Sequence, residues 1–95
     1  MRLEIGVLAS HDLRALHLYG LGTYGPAQAD AYLAELLARF EYIAQWPLAV
    51  RERLPVRPPV RLVRHQAHNI LYRVDDETVT IIRVLHHSAN WLDLL

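Results

Sequence analysis

Residues 68–86 read His68-Asn69-Ile70-Leu71-Tyr72-Arg73-Val74, then Asp75-Asp76-Glu77-Thr78, then Val79-Thr80-Ile81-Ile82-Arg83-Val84-Leu85-His86. In the first run His68, Ile70, Tyr72 and Val74 alternate with Asn69, Leu71 and Arg73, the period of two that marks a strand. The second run, Val79–His86, is almost wholly apolar with Arg83 as its only charge, which predicts a central strand covered on both faces. The polar turn between them makes the pair a hairpin. Just upstream, Val60–Arg64 is a third, shorter strand. Between residues 47 and 59 stand four of the five prolines, interleaved with arginine, which predicts an irregular exposed connector. Downstream, Ser88–Leu95 is a short tail with at most one helical turn.

Toward the N-terminus the period changes. Ala29, Leu33, Leu36, Phe40 and Ile43 step by four and three, the stripe of an amphipathic helix. Gly25-Pro26 opens that helix, with proline where its missing N–H costs nothing. Trp46-Pro47 closes it, because a residue before proline avoids the helical region. A preceding helix is capped at Ser10, with Asp12 in its first turn where negative charge suits the dipole. Leu13 and Leu16 continue it, and Gly20 and Gly22 predict its end near residues 20–23, since each glycine costs about 1 kcal/mol in a helix interior. Residues 3–8 alternate as a strand, with Gly6 marking a bulge or close packing. The order is β-α-α-β-β-β, an α+β arrangement with a helical hairpin packed on a small, mostly antiparallel sheet.

Ninety-five residues make one domain, residues 1–95, with room for one modest core. A hydrophobic content of 53% excludes a disordered segment. No apolar run has the length of a membrane span, and the start lacks the pattern of a secretory signal, so the expected location is the cytoplasm. The absence of cysteine excludes a disulfide framework and thiolate metal sites. Formal charge is zero but uneven: residues 48–74 hold six arginines against one acid, Glu52, a local excess of five. All ten basic residues are arginine. That suits bidentate grip on carboxylates or phosphates, and a GC-rich coding bias explains the missing lysine equally well. Without lysine, Schiff-base and amine-base chemistry have no carrier.

The blocks His68–Val74 and Val79–Trp91 resemble the C-terminal signature of the RelE/ParE superfamily of small bacterial toxins, nearest its ParE branch. Asp12-Leu13, the Gly25–Ala29 helix opening and the Phe40–Pro47 helix closing are similar as well. The chain departs from the pattern at Gln66-Ala67, where glycine is usual, at Ala89-Asn90-Trp91 in place of Met-Asp-Trp, and at Gly20 and Gly22. The resemblance implies a toxin of a type II toxin–antitoxin system that inhibits DNA gyrase by binding, with no catalytic residues, no cofactor and no metal. Its cognate antitoxin would be a ribbon-helix-helix DNA-binding protein. Neither a membrane nor sequence-specific nucleic-acid binding is implied. The RelE branch supplies the alternative, ribosome-dependent cleavage of messenger RNA. Its lysines and C-terminal tyrosine have no counterparts here: lysine is absent and no tyrosine follows Tyr72.

The candidate residues carry competing roles. For target binding the resemblance implies Arg83, His86, Ser88, Asn90 and Trp91. Trp91 is either a lid over the core or an exposed anchor. For antitoxin binding the candidates are Leu13 and Leu16 with Arg57, Arg61 and Arg64, taken as the rim of a groove between hairpin and sheet; a solvated loop explains the arginines as well. In the ribonuclease alternative Arg61, Arg64 and Arg83 would hold phosphate while His86 or His87 exchanged protons; otherwise Arg83 pairs with an acid. His86 and His87, adjacent in a strand, would point to opposite faces and share no ion easily, whereas His68 and His86 on neighbouring strands could share one; a structural hydrogen-bonding role at the strand end is the expected one for His86. Tyr19, Tyr24 and Tyr32 face the same choice as Trp91, with core or rim packing expected.

Overall fold

A computed structural model describes residues 1–53 and 56–95. It contains β1 (Arg2–Ile5), α1 (Val7–Tyr24), α2 (Pro26–Gln45), β2 (Glu52–Arg53), β3 (Val60–His65), β4 (His68–Asp75), β5 (Thr78–His86) and a 3-10 helix (Trp91–Leu94). The expected α+β order is present, with the two-residue β2 added inside the connector. Leu54 and Pro55 of that connector lie outside the described residues. The sheet runs β1-β5-β4-β3-β2. β1 pairs parallel with β5, and every other pair is antiparallel. β4 therefore takes the middle of the sheet, and β5 stands one place from the edge.

The helical hairpin covers one face. The α2 stripe buries Leu36, Phe40 and Ile43 against Ile70, Tyr72, Val79, Ile81 and Val84, with Ala9 and Leu13 arriving from α1. The opposite face carries a smaller cluster of Val60, Leu71 and Leu85, on which Leu62, Ile82, Ala89 and Trp91 pack. Both faces of β5 are thus covered, as its apolar run requires. Along β5 the register slips between Leu71 and Tyr72: Leu71 opposes Arg83 while Tyr72 opposes Ile81. The bulge places Ile81 and Val84 on the helix side and Ile82 and Leu85 on the other.

α1 departs from expectation at both ends. It starts at Val7, not after Ser10, and Gly6 is its N-cap. The reason is the parallel pairing: the Gly6 N–H donates to the Ile81 carbonyl at 2.8 Å, and a Cβ on Gly6 would sit 3.1 Å from that oxygen. The chain turns into the helix there, leaving Val7 and Leu8 exposed in its first turn. Asp12 consequently lies in the second turn, facing β5. At the other end the helix runs through Gly20 and Gly22 to Tyr24. Gly25 makes the turn at φ 92°, a backbone conformation open to glycine.

Candidate functional site

Two polar constellations sit where the hairpin meets the far end of the sheet. The first is built on Asp12. Beyond Ile5, which opposes Ile81, β5 has no strand beside it on that edge among the described residues. The Asp12 carboxylate takes the strand's place: Oδ2 accepts from the Val84 N–H at 2.9 Å. The Arg83 guanidinium grips the same carboxylate with both arms, Nε to Oδ2 at 2.8 Å and Nη2 to Oδ1 at 3.0 Å. Its Nη1 donates to the Leu94 carbonyl at 3.1 Å, tying the 3-10 helix to α1. Arg83 is thus held against an acid with its charged form favoured by that hydrogen bond, one of the three roles open to it in the sequence.

The second constellation gathers four histidines around the β3–β4 turn and the end of β5. The Tyr32 hydroxyl lies 2.7 Å from His68 Nδ1 and donates to the His65 carbonyl at 3.2 Å. Both contacts hold together when His68 donates from Nδ1 and Tyr32 passes its own proton on to His65. Glu35 accepts from Gln66 Nε2 at 2.9 Å and meets His65 Nε2 at 3.1 Å. His86 Nδ1 accepts from the Ser88 N–H at 3.2 Å and is 2.7 Å from the Ser88 hydroxyl. This places the proton of a neutral His86 on Nε2. His68 and His86 meet edge to face with ring centres 5.8 Å apart. Burial pushes the His68 imidazole below its ordinary value, and His86, His65 and His87 push it further. Burial likewise raises the Tyr32 hydroxyl.

Two of these histidines, His68 and His86, line a groove of about 720 Å³ between α1, α2 and the sheet. Its apolar wall comes from Leu16, Tyr19, Tyr24, Ala29 and Leu85, and its polar groups include Asp12, Glu35, Gln66, His68 and His86. Of the residues expected to meet an antitoxin, Leu16 lines this groove and Leu13 is buried in the core. The three arginines do not form one rim. Arg61 and Arg64, three apart on β3, point to opposite faces. Arg61 donates to the Val50 carbonyl and lies 3.8 Å from Glu52. Arg64 donates to the Gln66 carbonyl at 2.8 Å, and Arg57 is exposed in the connector. The phosphate grip imagined from Arg61, Arg64 and Arg83 is likewise not assembled, because Arg83 is committed to Asp12.

Of the residues expected to meet a target, His86 and Ser88 bond to each other, and Asn90 donates to Asp93 at 2.9 Å. Trp91 packs on the Val60, Leu71 and Leu85 cluster as a lid. The His86 and His87 rings do not diverge: they lie 4.5 Å apart, because the strand ends at His86 and alternation stops with it. Among the described residues no group of three or more histidine, aspartate or glutamate side chains is arranged to hold a metal. No helix is long and apolar enough to cross a membrane among those residues. Sequence reasoning missed Glu35 and His65 altogether and treated Tyr32 as mere packing. The available signal was a pair of histidines, His65 and His68, bracketing a two-residue turn.

The comparisons with known proteins agree with this architecture. A family model described as the ParE toxin of the type II toxin–antitoxin system parDE matches residues 3–91. Toxin ParE1 of Mycobacterium tuberculosis is 34% identical over 68 residues, 70% of this chain and 69% of that protein. Among solved structures, a chain of the chromosomal ParDE system from P. aeruginosa superposes with a TM-score of 0.79 at 20% identity, covering 90% of this chain and 95% of that one. A chain of the RelBE2 toxin–antitoxin complex from Mycobacterium tuberculosis gives 0.65 at 27% identity, covering 90% and 96%.

Proposed function

Because the chain belongs to the ParE toxin family of type II toxin–antitoxin systems, we propose that it acts in the cytoplasm by binding DNA gyrase and trapping its DNA-cleavage intermediate, with no chemistry of its own. A cognate antitoxin of the ribbon-helix-helix class silences it. The observation that carries the binding reading is the Asp12–Arg83 pair. Phosphoryl chemistry needs cations free to meet developing charge. Arg83, the one arginine inside the signature strand pair's second run, spends its guanidinium on Asp12 and the Leu94 carbonyl. The tail it anchors presents a partly covered indole at Trp91 beside Ser88 and Asn90, the kind of aromatic, hydrogen-bonding patch on which interfaces concentrate their energy.

The second reading, a ribosome-dependent endoribonuclease, draws on the RelE side of the superfamily and on the imidazoles at His68, His86 and His87. One experiment separates the two. Purified protein is assayed on gyrase supercoiling and, in parallel, on ribosome-bound transcripts. The binding reading expects inhibited supercoiling with accumulated cleaved DNA, and intact transcripts. Transcript cleavage abolished by His86→Ala, with supercoiling untouched, would overturn it.

A further inference from the structure

Resting on the antitoxin reading above, we propose that His68 and His86 form a proton-linked receptor for a carboxylate of an acidic partner peptide whose apolar side chains fill the groove beside them. The groove's size falls in the range of sites that bury several side-chain groups, roughly 300–1,000 Å³, at about 720 Å³. Leu16, Tyr19, Tyr24, Ala29 and Leu85 offer such a peptide an apolar wall. Both carboxylates that line the groove are already engaged, Asp12 by Arg83 and Glu35 by Gln66 and His65. Among the described residues the imidazole Nε2 edges of His68 and His86 have no hydrogen-bond partner, while each Nδ1 is fixed from behind, by Tyr32 and by Ser88.

The two edges differ in a useful way. His86 already presents an Nε2–H donor. In the tautomer that satisfies both Tyr32 contacts, a neutral His68 donates from Nδ1 and carries a lone pair on Nε2; protonation there adds a second donor without disturbing the Tyr32–His65 link. A carboxylate accepting from both is bound at the same time as the proton. Among the described residues no arginine lines the groove, so a nucleic-acid backbone, which needs cations along its track, is the poorer occupant.

The linkage follows from the groups around His68. Tyr32 and Glu35 face it from α2, His65 from β3, and His86 and His87 from the end of β5; Asp12, held by Arg83, lines the same groove from α1. Burial and those histidines hold its free value below the ordinary one. A bound carboxylate favours the charged form and raises it. Between the bound and free values binding takes up one proton, so affinity climbs as pH falls, by at most about tenfold per pH unit. In the free protein the sign is opposite. The unfolded chain protonates first, so His68 costs stability as pH falls from its ordinary value toward the depressed one, and nothing above that window.

The test uses the cognate antitoxin, titrated into the intact protein by calorimetry at pH values of about 8, 7 and 6, in buffers of different ionisation enthalpy. Wild type is expected to bind several-fold more tightly at the acid end, with uptake of one proton. His68→Gln keeps the complex and flattens the pH profile, and His86→Ala weakens binding at every pH; circular dichroism establishes that both variants fold. An unchanged pH profile in His68→Gln, or no proton uptake in wild type, overturns the receptor while leaving the antitoxin reading intact. No complex at any pH removes the antitoxin reading itself, and the receptor with it. Movement of the His68 ring resonances by inorganic phosphate or an RNA oligonucleotide, and not by the antitoxin, overturns the peptide assignment.

Discussion

Asp12 satisfies the Val84 N–H and two donors of the Arg83 guanidinium, whose charge, among the described residues, has no other acid beside it in the bonds it makes. The pair is mostly shielded, with 14% of the Asp12 and 17% of the Arg83 side chain exposed. Removing one member of such a pair strands the other, so Asp12→Ala is expected to cost about 3 kcal/mol in urea unfolding at neutral pH. Asp12→Ala combined with Arg83→Met should cost less than the two single changes added together, because the doubly altered chain strands no charge. Asp12 also marks the limit of what residues alone reveal. An acid near a helix start reads as a dipole effect. Its true partner lies 71 positions away, and no local pattern connects them. The same holds for Tyr32 and His68, 36 apart, whose meeting depends on how the hairpin lands on the sheet.

Glycines separate the two helices from their sequence reading. The α2 stripe was legible because five apolar positions repeat at helical spacing and all turn inward, Leu33, Leu36, Phe40 and Ile43 toward the core and Ala29 toward α1. The end of α1 was not, because glycine has a helix cost that tertiary contact can override. At Gly20 it does: an added Cβ would approach the Ala29 Cβ to 3.1 Å, so the bare backbone lets the two helices close up. Gly22 has open space around it, and Gly25 sits at positive φ. Three alanine substitutions should therefore behave differently in thermal unfolding. Gly22→Ala is expected to stabilise by about 0.5–1 kcal/mol. Gly25→Ala should destabilise by about 1–3 kcal/mol. At Gly20→Ala the crowding against Ala29 offsets the helical gain, leaving a smaller effect than Gly22→Ala.

Across the whole molecule, one sheet serves two cores, a large one under the helices and a small one under the tail. Trp91 spans the second, so Trp91→Ala should cost about 2 kcal/mol, below the 3–5 expected for a fully buried aromatic. Leu92, more than half exposed, should change stability by less than about 0.5 kcal/mol on replacement by alanine. Chemical denaturation of the two variants checks both. The hairpin of β4 and β5 was readable from its turn and its alternation, whereas the placing of β1 was not, since parallel partners share no turn. That strand sets a timetable. Arg2 aligns with Thr78 and Ile5 with Ile81, so β1 and both helices are synthesised before their partner strand. Long-range pairing of this kind is slow to form and leaves apolar surface bare in the meantime. A nascent chain thus carries the helices' greasy faces uncovered until residues 78–81 have left the ribosome and can pair with β1.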